Sequence, residues 1–164
     1  MTTPRLVLVG PPGAGKTTVG RLLADRLGVP FRDTDADVEA TAGKTVAEVF
    51  YDDGEQAFRA LERAAVSHAL ATHAGVLSLG GGAVLDASTR EQLQQHEVVL
   101  LQVGLADAAR RVGLSRDRPV LALNPRAALH ALLAERLPLY LEVAKRTVDT
   151  DAKTPAQVAD EVLA

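Results

Sequence analysis

Residues 10–18 read GPPGAGKTT and follow directly on an apolar run, LVLV at 6–9. The spacing Gly10, four residues, Gly15, Lys16, Thr17 fits the phosphate-binding loop pattern G-x-x-x-x-G-K-S/T. The context fits as well, with a strand-like segment before the loop and an amphipathic helical pattern after it. Glycines at 10, 13 and 15 let the backbone turn so that several N–H groups point inward, and the following helix adds the positive end of its dipole. Lys16 is placed to reach the β- and γ-phosphates of a nucleotide, and the Thr17 hydroxyl to ligate a cation bridging them. Gly13, Ala14, Gly15, Lys16, Thr17 and Thr18 are therefore the expected phosphate-binding residues.

Composition bounds what can surround this loop. The chain has 164 residues, 47% hydrophobic and 24% charged, the size and balance of one globular domain with a sizeable core. A formal net charge of −3 supplies no overall positive field for nucleic acid or an anionic membrane. The chain has no cysteine, so disulfides and thiolate metal sites are excluded, as suits a reducing cytoplasm. His68, His73, His96 and His130 are scattered without paired metal-ligand spacing. No basic-then-apolar leader and no run of roughly 18 apolar residues is present, so neither a signal peptide nor a membrane span is expected.

The rest of the chain alternates strand and helix signals. Strands are expected at 5–9, 29–31, 76–79, 98–103 and 146–150. Val19, Leu22, Leu23 and Leu27 give the segment after the loop one apolar face, ended by Gly28. Thr45 with Glu48 makes a capping box for a short helix, and Asp53 with Gln56 resembles a second box opening a long helix over 54–73. Ser88 with Glu91 is read as the cap of the next helix, and a short helix is expected at 106–112. Asn124-Pro125 starts another, interrupted at Pro138, and Thr154-Pro155 opens the last. The expected fold is α/β: a five-stranded parallel sheet between helical layers, with ligands at the strands' carboxyl ends.

A phosphate loop does not by itself distinguish a switch, a motor or a transferase. A GTPase should carry N-K-x-D and a D-x-x-G after its third strand, and neither is present. The chain offers instead DTD at 33–35, a glycine triplet at 80–82, and arginines in three separated segments. Carboxylates can orient a hydroxyl, bare glycine backbone admits a compact substrate, and guanidinium forks bind carboxylate or phosphate bidentately. That is the inventory of a small-molecule kinase.

At these residues the sequence closely resembles the shikimate kinase family, which phosphorylates the 3-hydroxyl of shikimate with ATP in chorismate and aromatic amino-acid biosynthesis. DTD at 33–35, DGEQAFR at 53–59, LSLGGGAV at 77–84, RDRPVL at 116–121 and ERLPLY at 135–140 match that family's segments in order, across about residues 5–150. The resemblance implies an NMP-kinase-like P-loop fold over residues 1–164, with the loop at 10–17, a substrate-binding segment at about 33–62 and a lid at about 112–124.

Carried over position by position, it implies one Mg²⁺ per site, held by Thr17 and through water by Asp33. Lys16, Asp35 and Arg118 would be the catalytic groups, with Asp35 taking a hydrogen bond from the reacting hydroxyl and Arg118 closing over the transferring phosphoryl group. Arg59 and Arg136 would grip the shikimate carboxylate, and Gly80, Gly81 and Gly82 would face the ring. Arg111 would pack against adenine, with Lys153 to Pro155 on its other side. Small departures remain: Pro11-Pro12 in the loop, Thr17 where serine is common, and R-P-V-L where R-P-L-L is usual. The implied enzyme is a cytoplasmic monomer whose partners are ATP and shikimate. The competing enzyme reading is another kinase of this fold, such as a gluconate kinase. A binding module without transfer is disfavoured by Lys16, Thr17, Asp35 and Arg118 together.

Overall fold

The computed structural model describes residues 3–104 and 125–164. In chain order these form β1 (Leu6–Val9), α1 (Lys16–Leu27), β2 (Phe31–Asp33), α2 (Thr34–Ala42), α3 (Val46–Asp53) and α4 (Glu55–Thr72). They continue with β3 (Val76–Ser78), a 3-10 turn (Ala83–Leu85), α5 (Ala87–Leu93), β4 (Val98–Gln102), α6 (Pro125–Val143), β5 (Arg146–Asp149) and α7 (Pro155–Leu163). The five strands pair in the order β2-β3-β1-β4-β5, every neighbour parallel. β1 therefore lies at the centre and delivers the phosphate loop between the exits of β3 and β4.

Strand alternation builds two cores, one on each face of the sheet. From β1 and β4, Leu8, Val99 and Leu101 point into a cluster with Val19 and Leu23 of α1 and Val158 and Val162 of α7. Val7, Val9, Val98 and Leu100 point the other way, onto Val66 and Leu70 of α4, Leu93 of α5, and Tyr140 and Val143 of α6. A third, smaller cluster of Val38, Val49 and Phe58 joins α2, α3 and the start of α4. It holds the 33–62 region together as a helical unit at the β2 edge of the sheet.

Several local expectations are corrected. α2 carries no clear apolar period, and the sequence reading missed it. Asp33 at its N-cap accepts the Asp35 N–H at 3.0 Å, Asp35 and Asp37 sit in its first turn, and Gly43 ends it in left-handed geometry. The Thr45–Glu48 capping box forms, but the Asp53–Gln56 box does not. Asp53 is the last residue of α3 and pairs with Lys44 at 2.9 Å, so the single residue Gly54 makes the whole joint to α4. α5 starts before Ser88, because Asp86 accepts the Thr89 N–H at 2.9 Å and takes the cap. α6 runs through Pro138 instead of stopping there. The lost backbone bond is outweighed by burial of Tyr140 and Val143 in the turn that follows. The helix expected at 106–112 lies outside the described residues.

Candidate active site

The loop after β1 is shaped by close approach. Gly10 has φ +154°, and a Cβ there would run into the Leu101 carbonyl of the neighbouring strand. Gly15, at φ +87°, is the N-cap of α1 and lends no side chain, so the helix's first N–H groups face the loop's interior. Lys16 folds over the loop, its Nζ donating to the Gly10 carbonyl at 2.7 Å and the Pro11 carbonyl at 3.1 Å. Thr17 Oγ1 donates to Asp33 Oδ2 at 3.2 Å, while Asp33 Oδ1 caps α2. Asp33 thus uses one oxygen for structure and turns the other toward the phosphate loop.

Lys16, Thr17, Asp33, Asp35, Gly80 and Gly81 line one cavity of about 220 Å³. A second, of about 350 Å³, shares Gly13, Gly15 and Thr18 with it and is walled by Ala14, Thr150, Lys153, Pro155 and Val158. Both border the same loop, one together with the segment after β3 and the other together with the segment after β5.

The glycine triplet brings the remaining candidates together. A Cβ on Gly80 would lie 2.5 Å from Asp35 Oδ1 and 2.8 Å from Glu62 Oε2. One on Gly81 would lie 3.2 Å from Pro12 Cδ and 3.5 Å from Arg136 Nη1, and one on Gly82 would collide with the Arg59 guanidinium. Residues from α2, α4 and α6 therefore converge on one stretch of bare backbone. Arg59 is steered there by its surroundings: Nη1 donates to Glu62 Oε1 at 2.8 Å, and its Cζ lies 5.1 Å from the Phe58 ring and 6.0 Å from that of Phe50. The i,i+4 contact with Glu55 also exists, at a longer 3.5 Å.

Sequence reasoning missed three supporting groups. Thr34 Oγ1 accepts the Gly80 N–H at 3.2 Å, and Tyr140 donates its O–H to the Gly81 carbonyl at 2.5 Å, so the first two glycines of the triplet are held. Burial drives the Tyr140 hydroxyl to a pKa of about 12, despite the pull of Arg136 and Arg59, so it remains a donor. Glu62 is 4% exposed, and its Oε2 has no hydrogen-bond partner among the described residues. Burial raises its pKa above the ordinary 4.5; Arg59 opposes this, Asp35 adds to it and Arg136 opposes it. A signal for Glu62 was present, since it stands midway between Phe58 and Val66 at i+4 and i+8 on the buried stripe of α4.

This support yields a stability prediction. Tyr140→Phe keeps the ring buried but strips the Gly81 carbonyl of its donor, and should lower unfolding free energy by about 1–3 kcal/mol, read from denaturant titration. A change within a few tenths of a kcal/mol would mean that the bond does not hold the triplet.

Among the described residues no group of three or more His, Asp or Glu could hold a metal. Thr17 and Asp33 offer two oxygens beside the phosphate loop, so a cation there must take its other ligands from phosphate and water, which is the habit of Mg²⁺. Arg111 and Arg118 lie outside the described residues. No described helix is long and apolar enough to cross a membrane.

The family model for shikimate kinase matches residues 12–164. The chain is 63% identical to a shikimate kinase of Salinispora tropica over 98% of this chain and 96% of that protein, and 59% identical to one of Thermobifida fusca over 96% and 91%. Among solved structures, a shikimate kinase from Acinetobacter baumannii in complex with shikimate superposes with a TM-score of 0.94 at 39% identity, over 99% of this chain and 92% of that one. A gluconokinase from Sinorhizobium meliloti 1021 reaches a TM-score of 0.56 at 21% identity, over 98% of this chain and 90% of that one, a likeness of fold alone. Sequence and fold agree, and the chain belongs to the shikimate kinase family.

Proposed function

We propose that this chain transfers the γ-phosphoryl group of ATP to the 3-hydroxyl of shikimate, giving shikimate 3-phosphate. The observation that carries this reading is the meeting of Asp35, Arg59 and Arg136 on one glycine backbone, beside a phosphate loop. An acceptor bearing both a hydroxyl and a carboxylate satisfies all three at once.

In this reading the backbone of Gly13 to Thr18 cradles the phosphates, and Lys16 leaves the Gly10 and Pro11 carbonyls to neutralise the β- and γ-oxygens. Thr17, and Asp33 through water, would hold Mg²⁺, which when bound would offset negative charge on the phosphates. Arg59 and Arg136 take the substrate carboxylate and set the ring against the triplet. Asp35 then accepts a hydrogen bond from the 3-hydroxyl, orients its oxygen for in-line attack, and receives its proton as the P–O bond forms. Lys153 and Pro155 bound the cavity assigned to adenine. Arg111 is assigned to the same base and Arg118 to the transferring group. The same reading takes the enzyme as a cytoplasmic monomer.

The test is ADP release with ATP and Mg²⁺ against a panel of acceptors. Turnover with shikimate, and none with gluconate or a shikimate analogue lacking the carboxylate, is expected. Preferential turnover of gluconate would overturn the reading. Gly81→Ala probes the acceptor side more finely. Its Cβ meets Pro12 and Arg136, and overpacking of about 1–3 kcal/mol should appear as roughly a tenfold higher KM for shikimate. A lower Tm with unchanged KM would assign the glycine to folding alone.

A further inference from the structure

The loop from Thr150 to Thr154 forms the outer wall of the 350 Å³ cavity, presenting Thr150 and Lys153 ahead of Pro155. Its own sequence is poorly suited to its shape. Lys153 N–H donates to the Thr150 carbonyl at 3.3 Å, closing a four-residue turn, and inside that turn Ala152 has φ +58°. A residue with a Cβ in the left-handed region costs about 1 kcal/mol or more, and Ala has no side chain with which to recover it locally. The turn is held partly at its own entry, where Asp149 Oδ1 accepts the Asp151 N–H at 3.3 Å, and partly from outside.

Two contacts to the exit of β4 do so. Thr150 donates both its N–H and its Oγ1–H to the Gln102 carbonyl, each at 2.9 Å, which continues the β4–β5 pairing. One residue further on, Asp151 straddles the Gly104 N–H, which donates to Oδ1 at 2.9 Å and to Oδ2 at 3.0 Å. The fit leaves no room at the partner, because a Cβ on Gly104 would lie 2.7 Å from Asp151 Oδ2. Beyond the turn, Thr154 and Gln157 form a capping box that fixes the start of α7. Asp151 is thus the side chain that ties the strained middle of the loop to the neighbouring strand.

We propose that Asp151 is a positioning residue for nucleotide binding: clamped on the Gly104 N–H, it holds the 150–154 loop at the distance from the phosphate loop that the base requires. The proposal rests on the assignment of this cavity to the adenine of ATP. Asp151 touches no phosphate and no acceptor in this arrangement. Its effect must appear in affinity for the base-bearing part of the nucleotide and nowhere else.

The experiment is calorimetric titration of the full chain with ATP and, separately, with inorganic tripolyphosphate, both with Mg²⁺. The readout is the ratio of the two affinities. Asp151→Ala should weaken ATP about fivefold to tenfold, as loss of a charge-assisted bond at a partly exposed site implies, and leave tripolyphosphate and shikimate within twofold. Gly104→Ala should reproduce this from the other side of the clamp, and the double variant should be no weaker than either single one. Asp151→Asn keeps one acceptor oxygen and should retain most of the ATP affinity. A fall in Tm with an unchanged ratio in Asp151→Ala and Gly104→Ala overturns the proposal. Val158→Met, at a residue that lines this cavity and not the one holding Lys16 and Thr17, narrows it without touching the clamp and separates the two levels. If it lowers the ratio while the clamp variants do not, the clamp idea fails alone. If it leaves the ratio unchanged as well, the base assignment fails and the proposal with it.

Discussion

Asp35→Asn should lower kcat by about 10²–10⁴ while leaving ATP affinity unchanged, the range that a positioned proton acceptor contributes. The substitution is nearly isosteric and leaves the cap of α2 in place. α2 is capped by Asp33, which accepts the backbone N–H of residue 35 and not its side chain. Asp35 Oδ1 faces the Gly80 backbone inside the cavity that also holds Lys16 and Thr17. The asparagine amide can still touch a hydroxyl, but cannot take its proton. Steady-state kcat with saturating shikimate, beside a direct ATP titration, settles the matter. Turnover within threefold of the parent would remove Asp35 from the reaction.

Arg59→Ala and Arg136→Ala should each raise the KM for shikimate by about 10- to 100-fold, since hydrogen bonds to a charged group contribute about 1.5–3 kcal/mol. KM for ATP should move less than about threefold. An ATP defect equal to the shikimate defect would contradict the placement of these arginines. Lysine substitutions should recover little, because a point charge does not reproduce the planar fork. Both alanine variants carry a stability effect with its own pH signature. Each removes a cation from beside Glu62, whose pKa already lies above the ordinary 4.5 through burial, against the pull of the arginines. A raised carboxyl favours the folded state where it is protonated, so its contribution is present below 4.5 and is lost as pH rises through the higher folded value. Arg59→Ala, which also removes the 2.8 Å bond to Glu62, should therefore lose more Tm at pH 8 than at pH 5. Adding Glu62→Gln should flatten that difference. A deficit that does not vary with pH would place the cause elsewhere, in the lost stacking on Phe58 and Phe50.

The phosphate loop and the parallel sheet were legible because their signals are local: glycines at fixed offsets, and apolar runs bounded by Gly and Pro. α2 was not, since only Thr34 and Val38 of its nine residues are buried and no period stands out. The Asp53–Gln56 and Ser88–Glu91 caps failed for a related reason. Each motif is locally sound, but Asp53 is engaged by Lys44, and Asp86 offers a carboxylate two residues before Ser88. Pro138 misled because its local penalty is visible in sequence while the buried Tyr140 and Val143 that offset it are not.

The site divides in the same way. Asp33, Asp35, the glycine triplet, Arg59 and Arg136 were singled out through ordered motifs. Their convergence depends on the order β2-β3-β1-β4-β5, which brings the exits of β2, β3 and β1 side by side. Tyr140 and Thr34 act through single hydrogen bonds to Gly81 and Gly80, across sequence separations of 59 and 46 residues that no local pattern encodes. Glu62 was the readable exception, a carboxylate on an apolar helical stripe.

The central claim is that the two cavities beside the phosphate loop pass a phosphoryl group from ATP to one hydroxyl of a carboxylated ring. Phosphorus NMR of a reaction containing the chain, ATP, Mg²⁺ and shikimate tests it most directly. The account predicts equimolar ADP and a new phosphate ester whose phosphorus couples to the proton on ring carbon 3. ADP accompanied only by inorganic phosphate, or an ester at another ring position, would contradict it.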